Sequence, residues 1–152
     1  MGAHERGIFN PKNPDFARAV RTFVLAMPTA KLLGFDFTRI EPGFVELVQP
    51  YRTELAYREG FFQASIVGAV ADFAGAPAAM TLLEEGWMAA TLDFTVKILA
   101  STQGDRLIAR ARVVRPGQTI TVASVDVYAA HAEKETLCAC ALLSTRNVSV
   151  AR

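Results

Sequence analysis

Residues 65–85 read SIVGAVADFAGAPAAMTLLEE and differ in composition from the rest of the chain. Alanine and long apolar side chains predominate, and one helical stripe comprises Ile66, Val70, Phe73 and Met80. Ser65 is a residue type that caps helix N-termini, and Glu84-Glu85-Gly86 is typical of a helix end. Because this helix is apolar on nearly every side, we expect other elements to enclose it.

The segments on either side of this helix predict a second helix and an antiparallel sheet. A helix is expected from Asp15 to Pro28, followed by a short helical turn that ends at Gly34. Two strands are expected around the tight turn Glu41-Pro42-Gly43. After Gly86, four strands are expected in a meander, with turns at 103–105, 115–118 and 131–134. The fold class is therefore α+β, with one sheet wrapped around one helix.

The first strand after Gly86 shows a clear two-residue alternation. Its pattern predicts one apolar face formed by Leu92, Phe94, Val96 and Ile98. The opposite face is then formed by Thr91, Asp93, Thr95 and Lys97.

Length and composition indicate one domain. The chain has 152 residues, and we expect a flexible arm at 1–14 and a single domain at 15–152. Apolar residues make up 51%, which argues against disorder, while charged residues make up only 20% and favour an oligomer with buried surface. A net charge of +1 argues against a nucleic-acid partner.

The cysteines, histidines and N-terminus give further expectations. Cys138 and Cys140 lie two apart in a predicted strand, which disfavours a disulfide between them, and neither His4 nor His131 has metal-ligand spacing to them. We expect free thiols and no metal. The N-terminus has no apolar signal core and no run is long enough to span a membrane, so a cytoplasmic protein is expected.

Asp72 is the residue that most suggests a functional site. It lies two turns into the most apolar helix of the chain, where burying an unpaired carboxylate is costly or raises its pKa. A structural interpretation is also open, in which Asp72 faces a solvent-filled groove or pairs with Arg110 or Arg112. A role in a site is the favoured interpretation.

The start of the same helix is the second functional signal. The first N–H groups of a helix lack intrahelical acceptors and carry the positive end of its dipole, so they can polarise a carbonyl oxygen. Positions 64, 65 and 72 are expected to share one face, since seven residues make two turns. This arrangement favours acyl chemistry.

The segment GFFQASIVGAVADFAGAPAA, followed by TLDFTVKILASTQGDRLIARARVVRPGQTITVASVDVYAA, resembles hotdog-fold acyl-CoA thioesterases of the PaaI-like (phenylacetate-degradation) group. The resemblance covers roughly residues 33–147. It implies a curved antiparallel sheet around one long central helix, and a homodimer or homotetramer whose active sites lie between subunits.

The resemblance also implies roles for residues near the helix start. The family has a His-Gly-Gly sequence before the helix and an acidic residue nine positions after the His. The acid matches Asp72, Gln63 replaces the His, and Ala64 and Ser65 replace the glycines. In this interpretation Asp72 is the catalytic carboxylate, and the Ala64 N–H holds the thioester oxygen.

Other site residues implied by the resemblance lie outside this helix. Tyr57 occupies the position of a family Asn or Gln that contacts the thioester carbonyl, and Thr91 matches a Ser or Thr contributed by the partner subunit. Arg115 and Lys97 are the candidate anchors for the phosphates of coenzyme A.

The expected function is hydrolysis of a small, medium-chain or aryl acyl-CoA to the free acid and coenzyme A, with no cofactor beyond the coenzyme A of the substrate. The alternative is an acyl-CoA-binding hotdog protein with weak or no activity, because Gln63, Ala64 and Tyr57 depart from the family pattern. A hydratase, which needs a catalytic His near an acid, is disfavoured because His131 lies at a predicted strand tip beside Glu133 and His4 lies in the N-terminal arm.

Overall fold

The computed structural model describes residues 9–150. Helix α1 spans Phe16–Leu25, and Pro28 begins the short helix α2 at Pro28–Leu33. Gly34 ends α2 in the left-handed conformation with φ 77°, which glycine adopts without strain. Strands β1 (Asp36–Glu41) and β2 (Phe44–Pro50) form the predicted hairpin.

A short segment leads from this hairpin to the long helix. A 3-10 turn at Thr53–Leu55 precedes two short paired strands, β3 (Ala56–Arg58) and β4 (Phe61–Phe62), which the sequence did not predict. Helix α3 spans Ala64–Met80 with Pro77 inside it. The prediction of Ser65 as N-cap is wrong, because the extended residue at the helix boundary is Gln63 and Ser65 already lies in the first turn.

The four predicted strands after Gly86 are present. They are β5 (Trp87–Ile98), β6 (Arg106–Arg115), β7 (Ile120–His131) and β8 (Lys134–Ser149). The antiparallel sheet has the order β1-β2-β6-β7-β8-β5. The predicted four-strand meander is therefore wrong for β5, which pairs with β8 because β2 and β7 already occupy both edges of β6.

Helix α3 is the centre of the core, as its composition predicts. It packs against β2, β5, β6, β7 and β8 on one face of the sheet. Val67, Val70, Ala71, Ala74 and Ala78 are fully buried. The sheet wrapped around a central helix is the hotdog architecture that the resemblance implies.

Strand β5 contains a β-bulge that its alternation did not reveal. Thr91 pairs with Thr145 while Asp93 pairs with the adjacent Ser144, so Leu92 is the extra residue. The bulge reverses the alternation, and Thr91 therefore faces α3 together with Phe94, not opposite to it as predicted.

The ends of the chain and the cysteines complete the fold. Residues 1–8 of the predicted arm lie outside the described residues, whereas Phe9 packs against the core. Cys138 is buried and Cys140 is half-buried, and both are free thiols. Burial raises the pKa of the Cys138 thiol. No helix within residues 9–150 is long and apolar enough to cross a membrane.

Candidate active site

An open groove of about 690 Å³ lies between the first half of α3, α2 and strand β5. Helix α3 supplies Ser65, Gly68, Ala69, Asp72 and Phe73. These residues follow helical spacing, so one face of α3 forms the floor of the groove. Thr29, Phe94 and Val96 complete the lining. We refer to this feature as the α3 groove.

Among residues 9–150, Asp72 is the only acidic or basic residue that lines the α3 groove. The Thr91 hydroxyl donates a 2.7 Å hydrogen bond to its Oδ1 atom. Burial raises the pKa of the Asp72 carboxyl, while the hydrogen bond from Thr91 opposes that rise by stabilising the charged form. The carboxylate therefore lies where it can accept a proton from a molecule in the groove.

Thr91 contacts Asp72 within one chain. The resemblance implies a Thr91 from the partner subunit, whereas Thr91 of the same chain makes this bond. The reason is the position of β5, which runs beside α3 and turns Thr91 toward the helix through the bulge at Leu92.

The start of α3 offers free backbone donors next to the groove. The carbonyl of Gln63 accepts from the N–H groups of Ile66 and Val67, and no side chain caps the helix. Within residues 9–150, the N–H groups of Ala64 and Ser65 have no acceptor. Ser65 lines the groove at the end nearest the helix start, and Ala64 is the exposed residue before it.

Gln63 and Tyr57 do not line the α3 groove. Gln63 is exposed at the helix boundary, and Tyr57 is exposed on β3 with its ring centre 5.9 Å from that of Phe61. The guanidinium of Arg58 lies over the same Phe61 ring at 4.0 Å. The structure therefore brings Asp72, Thr91 and Ser65 together and leaves both Gln63 and Tyr57 outside this group.

Neither arginine proposed as a structural partner reaches Asp72. Arg110 donates to Glu46 at 2.6 Å and to Glu135 at 2.7 Å, and its hydrogen bonds lower the pKa of the Glu135 carboxyl. Arg112 lies over the ring of Phe44 at 4.9 Å. Both arginines lie on the sheet face opposite α3, so the ion-pair interpretation is wrong, while the interpretation of a groove-facing Asp72 holds.

The two predicted phosphate anchors are far apart in one chain. Lys97 lies on β5 and Arg115 on β6, and strands β7 and β8 lie between these two. Both are exposed, and neither lines the α3 groove.

Comparison with known proteins identifies the family. A protein of Halobacterium salinarum described as "Putative esterase" is 32% identical over 118 residues, which cover 74% of this chain and 78% of that protein. A crystal structure of a thioesterase family protein from Silicibacter pomeroyi is 35% identical, with a TM-score of 0.85 over 88% of this chain and 98% of that one. The chain belongs to the thioesterase family.

A more distant structure shows the same fold. The thioesterase of Haemophilus influenzae is 20% identical and superposes with a TM-score of 0.77 over 89% of this chain and 92% of its own. No protein-family model matches the chain.

Several groove residues of this thioesterase-family protein were missed in the sequence. Phe94 and Val96 were assigned to the face opposite Thr91, because a bulge has no reliable residue signature. Thr29 on α2 was not considered. Gly68 and Ala69 were also missed, although the i, i+3, i+4, i+7 spacing from Ser65 to Asp72 would have found them. In the described part of the chain, no three His, Cys, Asp or Glu side chains are grouped to hold a metal ion.

Proposed function

We propose that this thioesterase-family protein hydrolyses the thioester of a small, medium-chain or aryl acyl-CoA, as the PaaI-like resemblance implies. The observation that carries the proposal is the Asp72–Thr91 pair, which places a partly buried carboxylate in the groove that Ser65 of the first helical turn also lines. The free N–H groups of Ala64 and Ser65 at the start of the same helix would polarise a bound carbonyl.

In the proposed reaction, the helix N–H groups, Asp72 and Thr91 each have one role. The N–H groups of Ala64 and Ser65 hold the thioester oxygen as it becomes negative, and the dipole of α3 favours that charge. Asp72 removes a proton from water, whose oxygen bonds to the acyl carbon while the carbon–sulfur bond breaks. The departing thiolate of coenzyme A takes up a proton. Thr91 orients the carboxylate through its hydrogen bond.

A second route starts from direct attack by Asp72 on the acyl carbon, which forms a mixed anhydride that water then cleaves. Rapid quenching followed by mass spectrometry separates the two routes. An acyl group on Asp72 indicates direct attack, and its absence during steady turnover indicates general-base catalysis.

The apolar walls of the groove support an apolar acyl group. Phe73 and Phe94 line the groove together with the small residues Gly68 and Ala69. The coenzyme A portion extends out of the groove, and Lys97 and Arg115 remain the proposed phosphate anchors when supplied by different subunits.

A homodimer or homotetramer is proposed because, within residues 9–150, no strand other than β8 pairs with β5. It is twelve residues long, and an edge of this length with exposed apolar side chains is a surface that proteins normally cover. The open side of the α3 groove lies along this same strand, so a second copy would enclose the substrate.

Thiol release from a panel of short, long and aryl acyl-CoAs tests the proposal. Turnover of at least one class supports hydrolysis. The alternative is an acyl-CoA-binding protein without activity, which the replacement of the family's His-Gly-Gly by Gln63, Ala64 and Ser65 favours. That alternative predicts thermal stabilisation by acyl-CoA with no thiol release.

A further inference from the structure

A second side-chain hydrogen bond lies close to Thr91 in the strand, on the face of the sheet that points away from the α3 groove. The Ser144 hydroxyl donates a 2.9 Å hydrogen bond to Oδ1 of Asp93. These residues face each other directly across β5 and β8, and Asp93 is the first residue after the bulge at Leu92. Neither residue touches the groove.

The bulge determines which β5 residues face α3. In a regular strand, Thr91 and Asp93 would lie on one face of the sheet. The extra residue Leu92 separates them, so that Thr91 faces Asp72 while Asp93 faces Ser144 on the other side. A loss of the bulge would turn either Thr91 or the Phe94 wall away from the groove.

Backbone hydrogen bonds to a single neighbouring strand support the bulge in β5. As an edge strand it has β8 as its partner on one side, and the pairs on either side of the bulge are Thr91–Thr145 and Asp93–Ser144. The Asp93–Ser144 pair is joined by side chains as well as by the strand ladder. That bond therefore fixes the strand one residue beyond Leu92.

We propose that Asp93 and Ser144 are positioning residues for the candidate active site. Their hydrogen bond holds the Leu92 bulge, and the bulge aims the Thr91 hydroxyl at Asp72. This inference rests on the proposed function for its effect on turnover, but its effect on the Asp72 carboxyl can be measured without substrate.

The test uses three variants and one matched control. Asp93→Ala and Ser144→Ala both break the bond, while Asp93→Asn keeps an oxygen that accepts from Ser144. Thr95→Ala is the control, because Thr95 lies on the same exposed face of β5, two residues further along. Melting temperatures confirm that each variant is folded.

The first readout is the pKa of the Asp72 carboxyl from a ¹³C NMR titration, with Asp72→Asn used to assign the resonance. Breaking the bond in Asp93→Ala or Ser144→Ala removes the Thr91 donor from Asp72 and raises its pKa by about 0.5–1 unit. Asp93→Asn and Thr95→Ala do not raise it.

The direction in which the Asp72 pKa moves distinguishes a positioning role of Asp93 from a direct effect of its charge. Removing the negative charge of Asp93 would by itself lower the pKa of the nearby Asp72 carboxyl, whereas losing the Thr91 hydrogen bond raises it. The titratable surroundings of Asp72 do not complicate this, since the other groove-lining residues, from α2, α3 and β5, carry no charge. Lys97 on β5 lies on the outer face with Asp93.

The second readout is the pH profile of thiol release. In Asp93→Ala and Ser144→Ala, the acid limb of kcat/KM moves upward with the Asp72 pKa, and kcat falls about threefold to tenfold while KM changes little. An unchanged or lowered Asp72 pKa in Ser144→Ala, or an equal rise in Thr95→Ala, would overturn the inference. If the parent protein releases no thiol, the proposed function fails, and the NMR titration still decides the positioning role.

Discussion

The hydroxyl of Thr91 lies 2.7 Å from Oδ1 of Asp72, joining the edge strand of the sheet to the central helix. Burial in α3 disfavours the charged carboxylate, and this one hydrogen bond favours it. The balance leaves a carboxyl whose pKa is above its usual value and which still faces an open groove. Those are the properties expected of a proton acceptor in a site.

Replacing Thr91 tests this relationship from the strand side. Thr91→Val keeps the shape and removes the donor, and we expect kcat/KM to fall about tenfold to a hundredfold because a hydrogen bond to a charged group is lost. Thr91→Ser keeps a hydroxyl and is the matched variant, expected to retain most activity. Equal losses in both variants would contradict a role for the hydroxyl.

The raised pKa of Asp72 also predicts a cost in stability at neutral pH. A carboxyl whose pKa is higher in the folded than in the unfolded state binds its proton more tightly when folded, so stability falls as pH rises through that window above pH 3.8. Asp72→Asn removes the charge, and we expect Tm at pH 7 to rise by about 2–4 °C.

The control for that measurement is Asp126→Asn, an exposed aspartate on the outer face of β7. It should leave Tm at pH 7 unchanged. The gain from Asp72→Asn should also shrink as the pH falls toward 4. A lower Tm for Asp72→Asn at neutral pH would show that the carboxylate stabilises the fold.

Replacing each of two glycines of α3 by alanine is expected to change the stability of the protein in different directions. A Cβ at Gly75 would overlap Cδ1 of Leu143, whose side chain is buried in the core. Gly75→Ala is therefore expected to lower the free energy of unfolding by about 1–3 kcal/mol. At Gly68 the nearest atom would be Cε2 of Phe94 at 3.7 Å, an ordinary contact.

Gly68→Ala is consequently the matched control, and it is expected to be neutral or to stabilise by up to about 1 kcal/mol through helix propensity. Chemical denaturation of both variants measures the difference. Equal stabilities for the two would show that the core around Leu143 adjusts freely.

The unpaired edge of β5 predicts that the protein sediments as a dimer or larger. Leu92→Glu places a charge on that edge and is expected to shift the protein toward monomer at micromolar concentration. Leu142→Glu is the comparison, since both leucines are 54% exposed but Leu142 lies on the face of the sheet rather than at its edge. Sedimentation velocity measures the shift. A monomeric parent protein would contradict the proposed assembly.

The helices and the longer strands, though not β3 and β4, could be predicted because their signals are local. The alanine-rich apolar segment gave α3, and turn residues such as Gly34 and Pro42 marked the boundaries of α2 and the first hairpin. The order of the strands could not be predicted in the same way. Whether β5 pairs with β6 or β8 depends on which edges other strands occupy, and that is a property of the whole sheet.

In the candidate site, too, the features with a local signal could be predicted and those that depend on strand pairing could not. Asp72 was predicted because an acidic residue in an apolar helix is conspicuous at the level of single residues. The contribution of Phe94 to the groove was missed, because one extra residue at Leu92 reverses the facing of the strand without altering its composition. The register of β5 against β8 decides which β5 side chains line the groove, and the sequence of β5 alone does not reveal that register.

The most direct test of the account compares thiol release by the parent protein, Asp72→Asn and Asp126→Asn on the same acyl-CoA panel. We predict that the parent protein and Asp126→Asn turn over at least one acyl-CoA at equal rates. Asp72→Asn is predicted to be slower by about 10²–10⁴-fold on that substrate, since it lacks the proton acceptor. An Asp72→Asn protein as active as its parent would contradict the central claim that this carboxylate performs the chemistry.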